Sequence, residues 1–233
     1  MATIILTESQ IKEITERVLI NQIYESFGDN QNIQNLLKKV KMYLAAGIAG
    51  TALLAAIDKL SISENEKEVL KDEIEMFDNS QSVFEKKVNA VKDCIAYYAN
   101  LNGFSPNQVR MSPELMVRIS DEYGFDLPLM LAQAKVESQF GTTPRALKTN
   151  SAFSIGLYDN GTNRVSYSNV NDSIEPYVKI MLKNYLSGKS IDEMLQPGNM
   201  VNQRGERYAS NPNYEKDIRL TRNAIMKRHP DLI

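Results

Sequence analysis

The side chains of this chain that could do acid–base chemistry are carboxylates and phenols. His229 is the sole histidine and Cys94 the sole cysteine. That removes His-based zinc sites, the Ser-His-Asp triad and the Cys-His pair, and it forbids an intramolecular disulfide or a thiolate metal cluster. No metal and no cofactor is expected. The carboxylate that stands out is Glu137, which follows Leu129, Met130, Leu131, Ala132, Ala134 and Val136 and precedes Ser138, Gln139, Phe140 and Gly141. A carboxyl group on the last turn of an apolar helix is costly to ionise. Apolar surroundings raise its pKa, so it can stay protonated near neutral pH and deliver a proton to a leaving oxygen, as cleavage of a glycosidic bond requires. Taken alone, an ordinary exposed glutamate at a helix end explains the position better.

The elements that must position Glu137 are marked by local chemistry. Ser112 with Pro113 starts a helix that Gly124 ends, and Asp126 with Pro128 opens the helix carrying Glu137, after which Gly141 supplies a left-handed residue. Further on, Asp159, Asn160 and Gly161 lie between Ile155–Tyr158 and Arg164–Tyr167, the pattern of a small β-hairpin. Helices resume at Asp172, at Ser190 with Glu193, and after Pro212. Upstream, Thr7 with Gln10, Ser63 with Glu66 and Ser82 with Glu85 read as capping boxes, giving roughly four helices before residue 100. Turn formers from Asn102 to Asn107 mark a boundary between a helical module, 1–103, and a second domain, 104–233.

Several pieces in order carry a resemblance. Ala132, Gln133, Ala134, Glu137, Ser138 and Gly141 are followed by Asn150, Phe153, Ile155 and Gly156, then by Tyr167, Ser168, Ser173, Ile174 and Tyr177, and late by Tyr208, Ala209, Pro212, Tyr214 and Ile218. Residues 111–229 thereby resemble the glucosaminidase family of the lysozyme superfamily, which hydrolyses peptidoglycan. The resemblance implies a mainly α architecture: an N-terminal helical module plus a lysozyme-like α+β catalytic domain with a small β-hairpin. It implies Glu137 as catalytic acid and Tyr208 beside it in the cleft, with Gln133, Ser138, Phe153, Tyr158, Tyr167 and Tyr214 as substrate-binding candidates.

The chain departs from the family pattern in two places. Phe153, Ser154, Ile155, Gly156 stands where Phe-Gly-Ile is usual, and the β element offers only Asp159 as a second carboxylate. Inversion, retention, attack by a substrate acetamido group and lytic transglycosylation all stay open, because the separation of two carboxylates is what distinguishes the first two. Tryptophan is absent, so the eleven tyrosines would have to stack on sugar rings, with Tyr158, Tyr167 and Tyr208 best placed. Arg145, Lys148, Arg164, Arg204 and Arg207 could meet the carboxylates of peptide stems, although most such charges are solvated surface groups.

A formal charge of −2 argues against a nucleic-acid partner. The uncharged run 42–57 falls short of the roughly twenty residues a bilayer span needs, and reads as a buried helix rather than a membrane contact. The first residues do not read as a secretory signal. A wall-degrading enzyme then needs another route to its substrate, and Ile4 to Gln10 looks similar to the starts of proteins from phages of gut Bacteroidetes. The expectation is a hydrolase carried in a virion or tail, with 1–103 contacting other particle proteins; the alternative is an inactive structural virion protein that keeps the lysozyme-like fold.

Overall fold

The computed structural model describes residues 8–27, 32–156 and 165–233, and among them the chain is helical. The helices are α1 (Glu8–Phe27), α2 (Ile33–Ala45), α3 (Gly50–Asp58), α4 (Glu64–Asn102), α5 (Pro113–Tyr123), α6 (Leu127–Ser138), α7 (Pro144–Thr149), α8 (Ile174–Ile180), α9 (Ile191–Met194) and α10 (Tyr214–Arg228). A π-turn over Met181–Tyr185 continues α8, and 3-10 turns lie at Pro106–Gln108, Val170–Ser173 and Pro230–Leu232. No strand forms among the described residues, where a single antiparallel bridge joins Val201 and Arg207. The mainly α expectation therefore stands and the β-hairpin is not supported. Residues 155–156 and 165–167 carry no ladder, and Asp159, Asn160 and Gly161 lie outside the described residues.

Caps explain most starts and stops. The Ser112 and Asp126 side chains accept from Leu115 N–H and Leu129 N–H, Ser63 and Ser190 form reciprocal boxes with Glu66 and Glu193, and Gly124 closes α5 at φ 58°. Ser82 and Glu85 do not start a helix. They lie inside α4, where no proline or glycine breaks the run from Glu64 to Asn102.

Packing divides the chain into two units, one up to Val83 and the other from Phe84 to Ile233. The first has its own core of Ile23, Phe27, Leu36, Val40, Leu53, Ile57, Leu70 and Ile74. The run 42–57 is no single helix there. It comprises the end of α2, a turn with Gly47 at φ 80°, and α3, and its first residue, Met42, is exposed. No described helix is long and apolar enough to cross a membrane.

In the second unit α6 is central. Leu127, Leu129, Met130, Leu131, Ala132, Gln133 and Ala134 are all buried, the all-round burial expected of a helix apolar on every face. Each large apolar side chain among them contributes about 1.5–3 kcal/mol. Helix α10 lies along α6, and Arg222 of α10 grips Asp126 at the start of α6 through two contacts of 2.6 and 3.0 Å. Residues 84–102 belong to this core through Val88, Val91, Cys94, Ile95 and Tyr98. Burial pushes the Cys94 thiol up to about 12, which keeps it protonated and inert as a nucleophile.

Candidate active site

Helix α6 ends abruptly after Ser138. Gln139, Phe140 and Gly141 take φ values of 49°, 58° and 83° in succession, and Phe140 N–H reaches back to the Ala134 carbonyl at 2.9 Å. Left-handed backbone costs a non-glycine residue about 1 kcal/mol. Here the burial of the Phe140 ring, whose centroid lies 6.4 Å from that of Tyr98, offsets it. Ser138 fixes the turn from within: its hydroxyl donates to the Ala152 carbonyl at 2.6 Å and accepts Gly141 N–H at 2.8 Å. Glu137, half-buried, is thereby held on a rigid last turn.

The carboxylate sits at one end of a hydrogen-bonded chain. Tyr214, the first residue of α10, donates its hydroxyl to Glu137 Oε1 at 2.5 Å. Gln133 Nε2 donates to that same phenol oxygen at 3.2 Å, and the Tyr177 hydroxyl donates to Gln133 Oε1 at 2.5 Å. Gln133 and Tyr177 are fully buried and Tyr214 nearly so. Burial, followed by the nearby carboxylates, pushes the Tyr177 and Tyr214 phenols well above their ordinary range, so both remain donors. Stacking of Tyr177 on Phe153, at 3.8 Å and 9°, fixes the far end of the chain.

The expected site residues are brought together unequally. Tyr208 is half-buried and lies near Glu137 by way of Tyr214, on whose ring it stacks at 5.6 Å, but its hydroxyl donates to the Phe153 carbonyl at 2.7 Å. Burial, then the Glu137 charge, raises its pKa well above the ordinary phenol range. Gln133, Ser138 and Phe153 are buried behind the site, with polar atoms engaged inside the protein. Tyr167 is half-buried and joins the loop after α7 through its backbone N–H to the Thr149 carbonyl at 2.9 Å. Tyr158 and Asp159 lie outside the described residues, as does Arg164. Arg207 does not face outward as a free cation. It pairs with Glu215, whose side chain is 1% exposed, at 2.8 and 2.9 Å.

Two features had no clear sequence signal. The π-turn over Met181–Tyr185 sets Tyr185 edge-on to Tyr208 at 5.2 Å, so three tyrosine rings adjoin one another beside the acid; inserted turns of this kind are frequent at functional sites. Glu215 is a buried partner that only the fold reveals. A cleft of about 460 Å³ opens at the other end of α6, bounded by Asp126, Leu127, Pro128 and Arg222. Its charged groups pair with one another, Lys87 with Asp121 and Arg222 with Asp126. Among the described residues no cluster of His, Cys, Asp and Glu could hold a metal ion.

The displaced glycine has a structural explanation. Ser154 stands at φ 54°, backbone that suits glycine, while at Gly156 an added Cβ would lie 2.7 Å from Val165 Cγ2. Ser154→Gly is therefore expected to raise stability by about 0.5–1 kcal/mol, read as a higher thermal midpoint. A lower midpoint would contradict this account.

These features comprise a half-buried carboxyl at a helix end, a phenol donating to it, and a tyrosine stack beside it, with motifs in a fixed order. Residues 113–227 match the Glucosaminidase family. That family's model is described as mannosyl-glycoprotein endo-beta-N-acetylglucosaminidase. A glucosaminidase domain implies a glycoside hydrolase and a peptidoglycan substrate. Comparison with curated proteins and with solved structures gives no match.

Proposed function

We propose that the glucosaminidase domain cleaves the glycan strands of peptidoglycan as an endo-β-N-acetylglucosaminidase or muramidase, with Glu137 as general acid. The observation that carries this reading is the placement of Glu137: half-buried at the end of an apolar helix, with a donor on Oε1, inside the family match. In the proposed reaction the acid protonates the glycosidic oxygen as the bond to the anomeric carbon breaks. Tyr208 contributes its ring to the wall of the site. The anomeric carbon is then attacked by water that Asp159 activates, by the substrate's own acetamido group, or by the muramic hydroxyl.

Mass analysis of fragments released from purified cell-wall glycan tests the reading and sorts these routes. Reducing sugar ends are expected. Anhydro-muramic ends would replace hydrolysis by transglycosylation, and no release at all would favour the inactive structural protein.

We also propose delivery by a phage particle, with the N-terminal unit contacting other virion or tail proteins. The support is the likeness of Ile4 to Gln10 to phage protein starts, together with a separate apolar core in that unit. Stoichiometric co-purification with particles is the expected result, and a protein found only free in solution would overturn it.

A further inference from the structure

We infer that Tyr177 and Gln133 are positioning residues that set which oxygen of Glu137 carries the acid proton. The inference rests on the glycosidase reading of Glu137. A tyrosine hydroxyl has one proton to donate, so the direction of the chain decides where each proton lies. Tyr177 donates to Gln133 Oε1, which turns the amide so that Nε2 faces Tyr214. With its oxygen accepting from Nε2, the Tyr214 phenol directs its own proton to Glu137 Oε1. An oxygen that already accepts this bond is the carbonyl side of the protonated acid. The transferable proton therefore resides on Oε2.

The direction is set from the buried end. If the amide flipped, Nε2 would oppose the Tyr177 hydroxyl proton and Oε1 would face Tyr214, drawing that phenol's proton away from Glu137. The Tyr177 side chain is immobilised by its stack on Phe153 and by an edge contact with Phe125 at 5.5 Å, 83°. Gln133 is four residues before Glu137 on α6, one helical turn away, so the amide and the acid share a face. The ionised phenol is disfavoured at both tyrosines by burial and then by neighbouring carboxylates, which keeps the chain supplied with protons.

The test uses the full chain and the variants Tyr177→Phe, Gln133→Met and Tyr214→Phe, with Tyr123→Phe as a phenol lost elsewhere. Tyr177→Phe, which keeps the ring, and Gln133→Met are each expected to lower kcat about tenfold with KM unchanged. Both should move the alkaline limb of the pH–kcat profile upward, because the carboxylate loses a donor. Their double variant should lose no more than the worse single, the signature of residues acting as one chain. Tyr214→Phe should match them and Tyr123→Phe should match wild type. A measurement independent of activity is the Tyr214 hydroxyl proton in the NMR spectrum. Its contact with the Gln133 amide protons should be present in wild type and absent in Tyr177→Phe.

Wild-type kcat, pH profile and hydroxyl resonance in Tyr177→Phe would overturn the inference and leave the glycosidase reading intact. Additive losses accompanied by lowered thermal midpoints would also overturn it, in favour of a packing role. If Tyr177→Phe does not fold, Gln133→Met carries the same readouts. If wild type cleaves no glycan, the glycosidase reading falls, and the Tyr214 resonance alone decides the direction of the chain.

Discussion

Glu137→Gln is expected to lower cleavage of cell-wall glycan by about a thousandfold, the upper part of the range for removing a general acid. At 1.36 kcal/mol per tenfold that is about 4 kcal/mol of transition-state stabilisation. The substitution suits the site because the amide preserves the size of the side chain and its oxygen still accepts the Tyr214 hydroxyl, which now meets Glu137 Oε1 at 2.5 Å. What it removes is the transferable proton. Folding should therefore be unaffected, and the thermal midpoint should stay within a degree or so while the zymogram band disappears. A variant that clears the glycan as well as wild type would remove Glu137 from the mechanism. Loss of activity together with loss of the folded state would implicate packing instead.

The largest expected effect on stability lies eight residues apart in sequence, at Arg207 and Glu215. Arg207 is about one-third exposed, whereas Glu215 is buried to 1%, so the guanidinium serves mainly to balance a carboxylate that water does not reach. Arg207→Ala leaves that charge alone and should cost about 3–5 kcal/mol, read as a lower midpoint in chemical unfolding. The pair also ties the segment around Tyr208 to the first turn of α10, because Arg207 reaches the Asn211 carbonyl at 3.4 Å as well. Activity should fall with stability. Replacing both residues by well-packed apolar ones should recover much of the loss, since neither charge is then left unpaired. A full cost in the double variant equal to the single would show that the pair does more than neutralise.

What was legible in the sequence is the chemistry that acts over a few residues. Ser112, Asp126, Ser63 and Ser190 start helices because a side-chain oxygen a few atoms away satisfies an open N–H, and Gly124 ends one because it tolerates φ 58°. The same rule misled at Ser82 and Glu85, where a capping pattern lies in a helix that nothing interrupts. It also misled at the run 42–57, where a turn around Gly47 separates two helices. The site was legible as an ordered set of motifs, but not as a network. The contact between Gln133 and Tyr177 spans 44 residues and that between Gln133 and Tyr214 spans 81, and no local rule relates them. Spacing indicates that Gln133 and Glu137 share a face; it does not indicate that the glutamine faces inward onto a phenol. Tyr185 was hidden for a different reason, since a π-turn shifts its direction from that of a regular helix.

The acid and its donor, Glu137 and Tyr214, are 77 residues apart along the chain. A ribosome therefore completes α6 long before it makes the phenol that the acid needs, and a chain stopped anywhere before Asn213 has a proton donor with no partner. The site comes into being only when α10 docks along α6. Synthesis order itself thus withholds the lytic machinery from unfinished chains, and the same order makes the appearance of activity a timer for the last step of folding.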